Sequence, residues 1–506
     1  MNGPREFALD TEVIVVGFGG SGAAAAIEAH DQGAKVLILE KASPEAHAPT
    51  TALLAGGAMF TTDEAEAHTY LAACAGKLIP PEVSRAWARE ATTLRNWLNQ
   101  LDPERFRMSS NKPGAEFPHL PGAAAIESAA GEFHVGEAQW AKAAGAHMFA
   151  ALRHAVANRG IEVRYGTRAQ RLLSEAGRIV GVVADADGTT VRVVARKAVI
   201  LATGGFEFDD ELKRQYLTGG DSVHFYGSKF ATGDGVRMAA AEGADLWHMS
   251  SMAGRGVGHF EGPDGQVVNA IMLLDLKWVG RDDEYAYVIT DGHGRRFADE
   301  SIQAALGHSF YYEMLHYDAE TGSFPRIPSY WFFDHRRFTA GALTIPRYGA
   351  AGVGTYQWSD DNLAELERGW IHRADTIEEL AAAVGITDPA ATAAEIADYN
   401  QSCVDGDDRF RARGASMVAI EAPPYYCVKL WPGGTNTTGG PRRDANGQIV
   451  HVFGHSIEGL YGCGENGSII GERYPGLYAY YSEVLSSGRI AGRNAARLHP
   501  QLVTRR

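Results

Sequence analysis

Thr11-Glu-Val-Ile-Val-Val-Gly-Phe-Gly-Gly-Ser-Gly22 constrains this chain more than any other stretch. Val13 to Val16 are four consecutive apolar residues, the pattern of a strand buried on both faces. They run directly into Gly17-x-Gly19-x-x-Gly22, and Ala23 to His30 reads as a helix rich in small residues. Each glycine answers a separate need: Gly17 a tight turn, Gly19 the approach of backbone to a pyrophosphate, Gly22 close packing of helix on strand. The pyrophosphate belongs at the helix N-terminus, where unpaired N–H groups and the dipole favour an anion. A second strand, Lys35 to Leu39, ends at Glu40, 18 residues past Gly22. A carboxylate there suits ribose hydroxyls and repels a 2′-phosphate. The order of strand, glycines, helix, strand and acid predicts an α/β domain that binds a dinucleotide.

Other properties exclude whole classes of function. A net charge of −15 argues against nucleic acid, which needs basic stripes to meet phosphates. No run of 18 apolar residues occurs, so no transmembrane segment is expected. Met1 to Asp10 lacks a basic stretch followed by an apolar one, so no secretory signal is expected either. Cys74, Cys403, Cys427 and Cys463 show neither metal-ligand spacing nor a disulfide framework; the reading is reduced thiols in a cytoplasm and no metal site.

Along the 506 residues there is room for two or three domains. Ala52-Leu-Leu-Ala-Gly-Gly-Ala58 carries a glycine pair, Gly56-Gly57, that lets backbone approach a flat ligand. Residues 63–100 read as helices, with a good start at Pro80-Pro81-Glu82, and residues 101–136 read as loop-rich. Trp140 to Arg159 reads as a helix ended by Gly160. Ile161–Tyr165, Ala169–Ser174, Ile179–Asp185 and Thr190–Ala195 read as a β-meander, and Ala198 to Leu201 as a buried strand that ends in Ala202-Thr-Gly-Gly205. Ligands collect at the C-terminal ends of strands in such sheets, so Thr203 and Gly204 are expected near the first glycine loop. Asp234, in Thr232-Gly-Asp-Gly235, opens a helix and is either its cap or a cofactor ligand. From about 246 to 420 the chain turns aromatic (Trp247, Trp278, Trp331, Trp358 and Trp370 among others), which reads as a second domain. The tail returns to glycines and an acid in Gly459-Leu-Tyr-Gly-Cys-Gly-Glu465, followed by a helix from about Tyr480 to Leu498.

Taken in order, the opening fingerprint, Ala55-Gly-Gly, Ala202-Thr-Gly-Gly, Thr232-Gly-Asp-Gly, Gly294-Arg-Arg-Phe-Ala-Asp-Glu300, Thr438-Gly-Gly-Pro-Arg and the Gly459–Glu465 ending resemble one family. It is the FAD-dependent fumarate reductase / 3-ketosteroid dehydrogenase superfamily. The resemblance implies a Rossmann-like FAD-binding domain in two parts, 1–265 and 421–506, with the β-meander, and an inserted α+β capping (substrate) domain over 266–420. It implies that Gly17, Gly19, Ser21 and Gly22 hold the pyrophosphate, Glu40 the ribose with Lys41 beside it, and the backbone of Ala169 the adenine. Thr51, Gly56 and Gly57 would lie along the flavin with Thr203 and Gly204 nearby. Asp234 and Glu465 would hold polar chain hydroxyls, and Ala479 to Tyr481 would face the pyrimidine side of the ring. Members with covalent flavin carry a histidine where this chain has Thr50, so the resemblance implies non-covalent FAD.

Two departures point away from fumarate. The segment after Arg296-Phe-Ala-Asp-Glu300 lacks an arginine acid, and Asn436 stands where those enzymes carry a histidine. Arg473-Tyr474-Pro475-Gly476 instead resembles the Tyr-Pro-Gly of ketosteroid dehydrogenases. There a tyrosine hydroxyl and a backbone N–H four residues on polarise the substrate carbonyl; here these are Tyr474 and the N–H of Tyr478, where the family has glycine. The usual base tyrosine falls near Ala304, so the base is unassigned among Tyr311, Tyr312, His308 and His119.

The expected chemistry is FAD-dependent desaturation or reduction of a C–C bond adjacent to a carbonyl, in a cyclic, mainly apolar substrate, with hydride exchanged at flavin N5. It needs a donor that stabilises developing enolate charge, and Tyr474 suits that role; Arg473 could sharpen it or bind an anion. Gly352-x-Gly354 does not follow a strand, so no second dinucleotide domain is expected and electrons pass to or from an external partner. A second reading is an ene reductase or dehydrogenase of a carboxylic acid held by Arg473, Arg336 or Arg337. A third is a non-catalytic or electron-transfer flavoprotein subunit. Substrate, direction and oligomeric state are not legible.

Overall fold

The computed structural model describes residues 7–136, 139–262, 265–277, 281, 283–304, 307–345, 356–411 and 416–500; Trp278 and Gly352-x-Gly354 lie outside them. The chain forms two compact units, one of Met1–Leu212, Gly227–Ser251 and Asn436–Arg506, the other of Lys213–Tyr226 and Met252–Thr435. The second unit is wider than a 266–420 insertion for a physical reason. Its sheet takes in Met252–Glu261, and His224–Phe225 pairs in parallel with Gly433–Gly434.

The first unit is built on β1 (Phe7–Val16), α1 (Gly20–Asp31) and β2 (Val36–Leu39). Next come helices α2 (Glu64–Ala75) and α3 (Pro81–Leu101), the latter with proline at its first turn, and α4 (Gly145–Asn158). Strands β3 (Glu162–Arg164), β4 (Thr167–Glu175), β5 (Arg178–Ala186) and β6 (Thr189–Leu201) follow, then α5 (Asp234–Ala241), β7 (Ser456–Gly462) and α6 (Ala479–Ala496). Strands β3, β2, β1, β6 and β7 lie side by side, each pair parallel, while β5 and β4 join β6 as an antiparallel meander. Two expectations change. β3 belongs to the parallel sheet and not to the meander, and the last meander strand and the Ala198–Leu201 strand are one continuous element, β6.

Residues 101–136 are also more ordered than their turn-rich sequence suggests. Phe106–Met108, Lys112–Pro113 and Gln139–Lys142 all pair with Ile126–Gly136, which pairs in turn with Gly57–Thr61. The helix read from Trp140 begins only at Gly145, because Gln139–Lys142 is spent on that pairing.

Small residues set the spacing of α6 on α1. A Cβ on Gly488 would lie 2.4 Å from the Ser21 carbonyl oxygen, and one on Gly492 2.2 Å from that of Ala25. Buried Arg489 and half-buried Arg493 then tie Glu28 of α1 to Glu90 of α3.

The second unit is a sheet ordered 267–271, 252–261, 425–437, 329–334, 287–290, with helices 377–384 and 389–405. The first of these helices is capped by Thr376, whose hydroxyl accepts from the Glu379 N–H. Its aromatics are core: Trp331, Trp358, Phe332 and Phe333 are fully buried. The Arg296 to Glu300 motif is structural too. Arg296 forks onto Glu300 and Asp408, and Arg411 adds a second cation to Glu300.

Candidate functional site

Four parallel strands of the first unit end at one edge of the sheet. β1 delivers Gly17, β2 Glu40, β6 Thr203 and Gly204, and β7 Glu465. These residues, with Gly19, Ser21, Lys41, Thr51, Ala169 and Asp234, line a cleft of about 800 Å³, part of it open to solvent. The polypeptide thus gathers eleven of the sequence-selected cofactor residues around one space.

Local geometry explains several residue types. Gly17 adopts φ 103°, and a Cβ there would stand 2.4 Å from the Ala202 carbonyl oxygen. A Cβ on Gly22 would meet the Gly17 carbonyl oxygen at 2.0 Å, so this glycine serves the packing of α1 and does not line the cleft. Glu40 braces the loop: its Oε2 accepts the Phe18 N–H at 2.9 Å and its Oε1 the Ala42 N–H at 2.8 Å. Asp234 is not the cap of α5, which is Gly233. Its carboxylate binds Lys41 at 2.8 Å and Arg168 at 2.7 Å. Burial opposes that charge, but the hydrogen bond from Arg168 and the Lys41 ammonium outweigh it and hold the carboxyl below its usual range.

Gly56 and Gly57 do not line the cleft. A Cβ on Gly56 would lie 2.4 Å from the Ala144 carbonyl oxygen, and one on Gly57 2.5 Å from the ring of Tyr478. Neighbouring protein already requires both glycines. Tyr481 likewise does not line the cleft; its hydroxyl donates to the Thr51 carbonyl at 2.9 Å, and Ala479 is the first residue of α6.

The Tyr474 segment is strapped down. Tyr70 donates to the Pro475 carbonyl at 2.6 Å, Glu116 N–H donates to the same oxygen at 3.0 Å, and Leu477 N–H reaches Gly114 O at 3.1 Å. The Tyr474 hydroxyl accepts the N–H of Tyr480 at 3.3 Å, one of the first-turn donors of α6 that has no partner within the helix. Tyr478 is the N-cap of that helix at φ 65°, the left-handed conformation in which glycine is at ease. Asn436 is fully buried, and its amide Nδ2 donates to the Thr437 carbonyl at 3.0 Å.

Several candidates fall elsewhere. Arg473 is exposed and donates to the Ala73 carbonyl at 3.0 Å, at the end of α2. Arg336 pairs with Asp334, and fully buried Arg337 donates to the carbonyls of Leu273, Leu274, Gly341 and Ala342. His119 is exposed, its ring edge-on to Phe117. In the second unit His308 Nε2 lies 2.7 Å from Arg255 Nη2; arginine can only donate, so that nitrogen carries a lone pair. Tyr311 is buried against Gly254 of the same strand, with the ring of Tyr312 tilted beside it.

Arg255, Glu207 and Asn466 escaped the sequence reading. Arg255 is 3% exposed in the strand Met252–Glu261. Glu207 and Asn466 are buried beside the cleft glycines; Glu207 closes a Gly-Gly-Phe-Glu run, the one available hint.

Such a sheet, with glycine loops and acids converging at its strand ends, defines a dinucleotide-binding α/β domain. Residues 12–476 match the FAD binding domain family, and the chain belongs to it. It is 25% identical to the 3-oxosteroid 1-dehydrogenase of Mycobacterium tuberculosis, over 96% of this chain and 98% of that one. It is 27% identical to the vinyl phenol reductase of Lactiplantibacillus plantarum, over 96% of each. A 3-ketosteroid Δ1-dehydrogenase from Sterolibacterium denitrificans, solved in complex with 1,4-androstadiene-3,17-dione, matches with a TM-score of 0.79 at 22% identity, over 96% of this chain and 99% of that one. The chain is an FAD-dependent oxidoreductase of the ketosteroid dehydrogenase / fumarate reductase superfamily, whose enzymes act on carbon–carbon bonds. A non-catalytic role is thereby set aside. No helix among the described residues is long and apolar enough to cross a membrane.

The cleft fits FAD. No side chain of the N-cap Gly19 closes the start of α1 and no acid stands in its first turn, which leaves that end receptive to a pyrophosphate. A Cβ on Gly19 would have only the Pro49 side chain near it, at 3.7 Å, so the loop is open at that point. Asn466, fully buried beside Glu465, has neither amide atom partnered within the protein.

Proposed function

We propose that the enzyme desaturates or reduces a C–C bond adjacent to a carbonyl in a cyclic, mainly apolar, ketosteroid-like substrate, with Tyr474 polarising the carbonyl. The observation that carries this reading is the Tyr474 hydroxyl held by Tyr480 N–H at the N-terminus of α6. A hydroxyl whose oxygen accepts from a helix N-terminus is a stronger donor through its own hydrogen, because the positive end of the helix stabilises charge that builds on the oxygen. Donation from Tyr474 to a substrate carbonyl lowers the pKa of the adjacent C–H. Tyr70 and Glu116 keep the Tyr474-Pro475-Gly476 turn in place while this happens. Bound FAD, non-covalent with Thr50 in place of a histidine, supplies the two-electron exchange. Proton transfer at the neighbouring carbon needs a separate acid–base residue. Electrons come from an external donor in the reducing direction or pass to an external acceptor in the desaturating one. The 3-oxosteroid and 3-ketosteroid substrates named for two of the similar proteins support the substrate class. Four free cysteines suit a cytoplasmic protein.

The alternative, a carboxylic acid substrate, needs a cation at the site, and Arg473, Arg336 and Arg337 are committed to backbone carbonyls or to Asp334. A panel of 3-ketosteroids and of unsaturated carboxylic acids, each followed by the flavin absorbance, separates the two. Reoxidation of reduced flavin by unsaturated acids alone overturns the ketone reading. Tyr474→Phe is expected to retain FAD and to lose about 10²-fold or more in kcat, the scale of an oxyanion donor. An unchanged kcat removes Tyr474 from the mechanism.

A further inference from the structure

Two buried glutamates stand beside consecutive glycines at the edge of the flavin cleft, with no ion-paired cation among the described residues to balance them. Consecutive glycines bring them there: a Cβ on Gly204 would lie 3.7 Å from Glu465 Oε2, and one on Gly205 2.5 Å from Glu207 Oε1. Glu207 is 2% exposed. Its Oε1 accepts the Thr437 N–H at 2.6 Å and the Thr437 hydroxyl at 3.2 Å, while its Oε2 has no partner. Glu465 is 9% exposed, and it lines the cleft. Among the described residues neither carboxylate is ion-paired with a lysine, arginine or histidine.

Two carboxylates buried this way cannot both stay ionised. Burial pushes Glu207 up to about 7. Burial and then the charge of Glu207 push Glu465 well above the usual carboxylate range. The remaining ionisable group that faces the pair is Tyr480 of α6, kept protonated by its own burial and then by the charge of Glu465, with Tyr474 next to it. Asn466, next to Glu465 in the chain and fully buried, has both amide atoms unpartnered.

We propose that Glu207 and Glu465 titrate as a coupled pair at the flavin site, taking up a proton when FAD enters the cleft. FAD would cover the surface that Glu465 still shows to water and would bring negative phosphate into the cleft. Both effects disfavour the doubly ionised pair, so the loaded protein keeps the pair's proton to a higher pH than the empty one. FAD affinity therefore falls as pH rises through the titration of the empty pair, by up to tenfold per pH unit for one linked proton. Glu207 is a positioning residue in this scheme, acting on the cofactor through Glu465. The inference rests on the FAD site alone and stands or falls separately from the role of Tyr474.

The test is FAD release from the holoenzyme at nanomolar concentration between pH 6 and pH 9, followed by flavin fluorescence. Wild-type dissociation constants are expected to rise steeply with pH over part of this range. Glu207→Gln keeps the shape and an acceptor for Thr437 but removes the second charge, and its profile is expected to be shallower than wild type, with burial of Glu465 alone left to act. Calorimetry of FAD rebinding to wild-type protein, in buffers of different ionisation enthalpy, reads proton uptake directly and needs no variant to fold. A net uptake approaching one proton near neutral pH supports the proposal. No uptake, a flat wild-type profile, or an unchanged slope in Glu207→Gln overturns it.

Discussion

Tyr478 is a residue at odds with its backbone, and two substitutions measure the conflict. At φ 65° an ordinary side chain crowds the following carbonyl, at a cost of about 1 kcal/mol relative to glycine. Its ring nonetheless lies in the core of the first unit, 8% exposed, over the space a Gly57 side chain would occupy. Removing a buried aromatic ring costs about 3–5 kcal/mol. Tyr478→Ala loses the ring and keeps the strained backbone, so about 3–5 kcal/mol of stability should go. Tyr478→Gly loses the same ring but relieves the backbone, and should recover about 1 kcal/mol of that loss. Urea unfolding at saturating FAD, monitored by flavin release and by tryptophan emission, is therefore expected to rank wild type above Tyr478→Gly above Tyr478→Ala. If the alanine variant equals or exceeds the glycine variant, the left-handed cap is not what the backbone adopts. If glycine exceeds wild type, the ring contributes no packing and the contact with Gly57 is incidental.

Two further outcomes follow from buried charge. Arg296→Leu strands Glu300 and Asp408 without the guanidinium that holds Asp408 far below its usual range, and is expected to cost about 3–5 kcal/mol in urea unfolding of the second unit. His248 is held near pKa 4 by burial, against a hydrogen bond to the Ser468 carbonyl, with Arg443 adding to the depression. A depressed histidine contributes stability above its unfolded pKa that is lost as pH falls towards the folded value, here about 2 kcal/mol between pH 7 and pH 5. His248→Gln should lose less stability than wild type over that interval, and an equal loss removes His248 as the cause.

The dinucleotide half of the site was readable because its signals are local. A strand, a turn and a helix start lie within twelve residues, and each glycine of Gly17-x-Gly19-x-x-Gly22 has a backbone reason visible in the spacing. Gly56 and Gly57 show the limit of that logic. A glycine demanded by a flat ligand and one demanded by the Ala144 carbonyl or the Tyr478 ring look identical in a sequence. Arg473 was misleading for a related reason, since adjacency to Tyr474 in the chain says nothing of the Ala73 carbonyl that claims its guanidinium. The aromatic stretch suggested an apolar pocket, yet most of its rings are packed on one another and make core. Glu207 was silent because what makes it unusual is Thr437, 230 residues away, and a carboxylate on another strand end. β3 was misplaced because three residues of alternating pattern pair equally well with a meander or with β2.

The order in which the cleft's pieces leave the ribosome has its own consequence. Strand ends at residues 16, 39, 201 and 462 build it, and Val484 of α6 closes one wall. β1 waits for β6, some 180 residues later in the chain, and β6 waits for β7, some 260 later still. A nascent chain therefore has no complete place for its cofactor until β7 and α6 have been made. A product cut short before α6 lacks that wall of the cleft, and with it part of the ligand binding that would hold the chain folded.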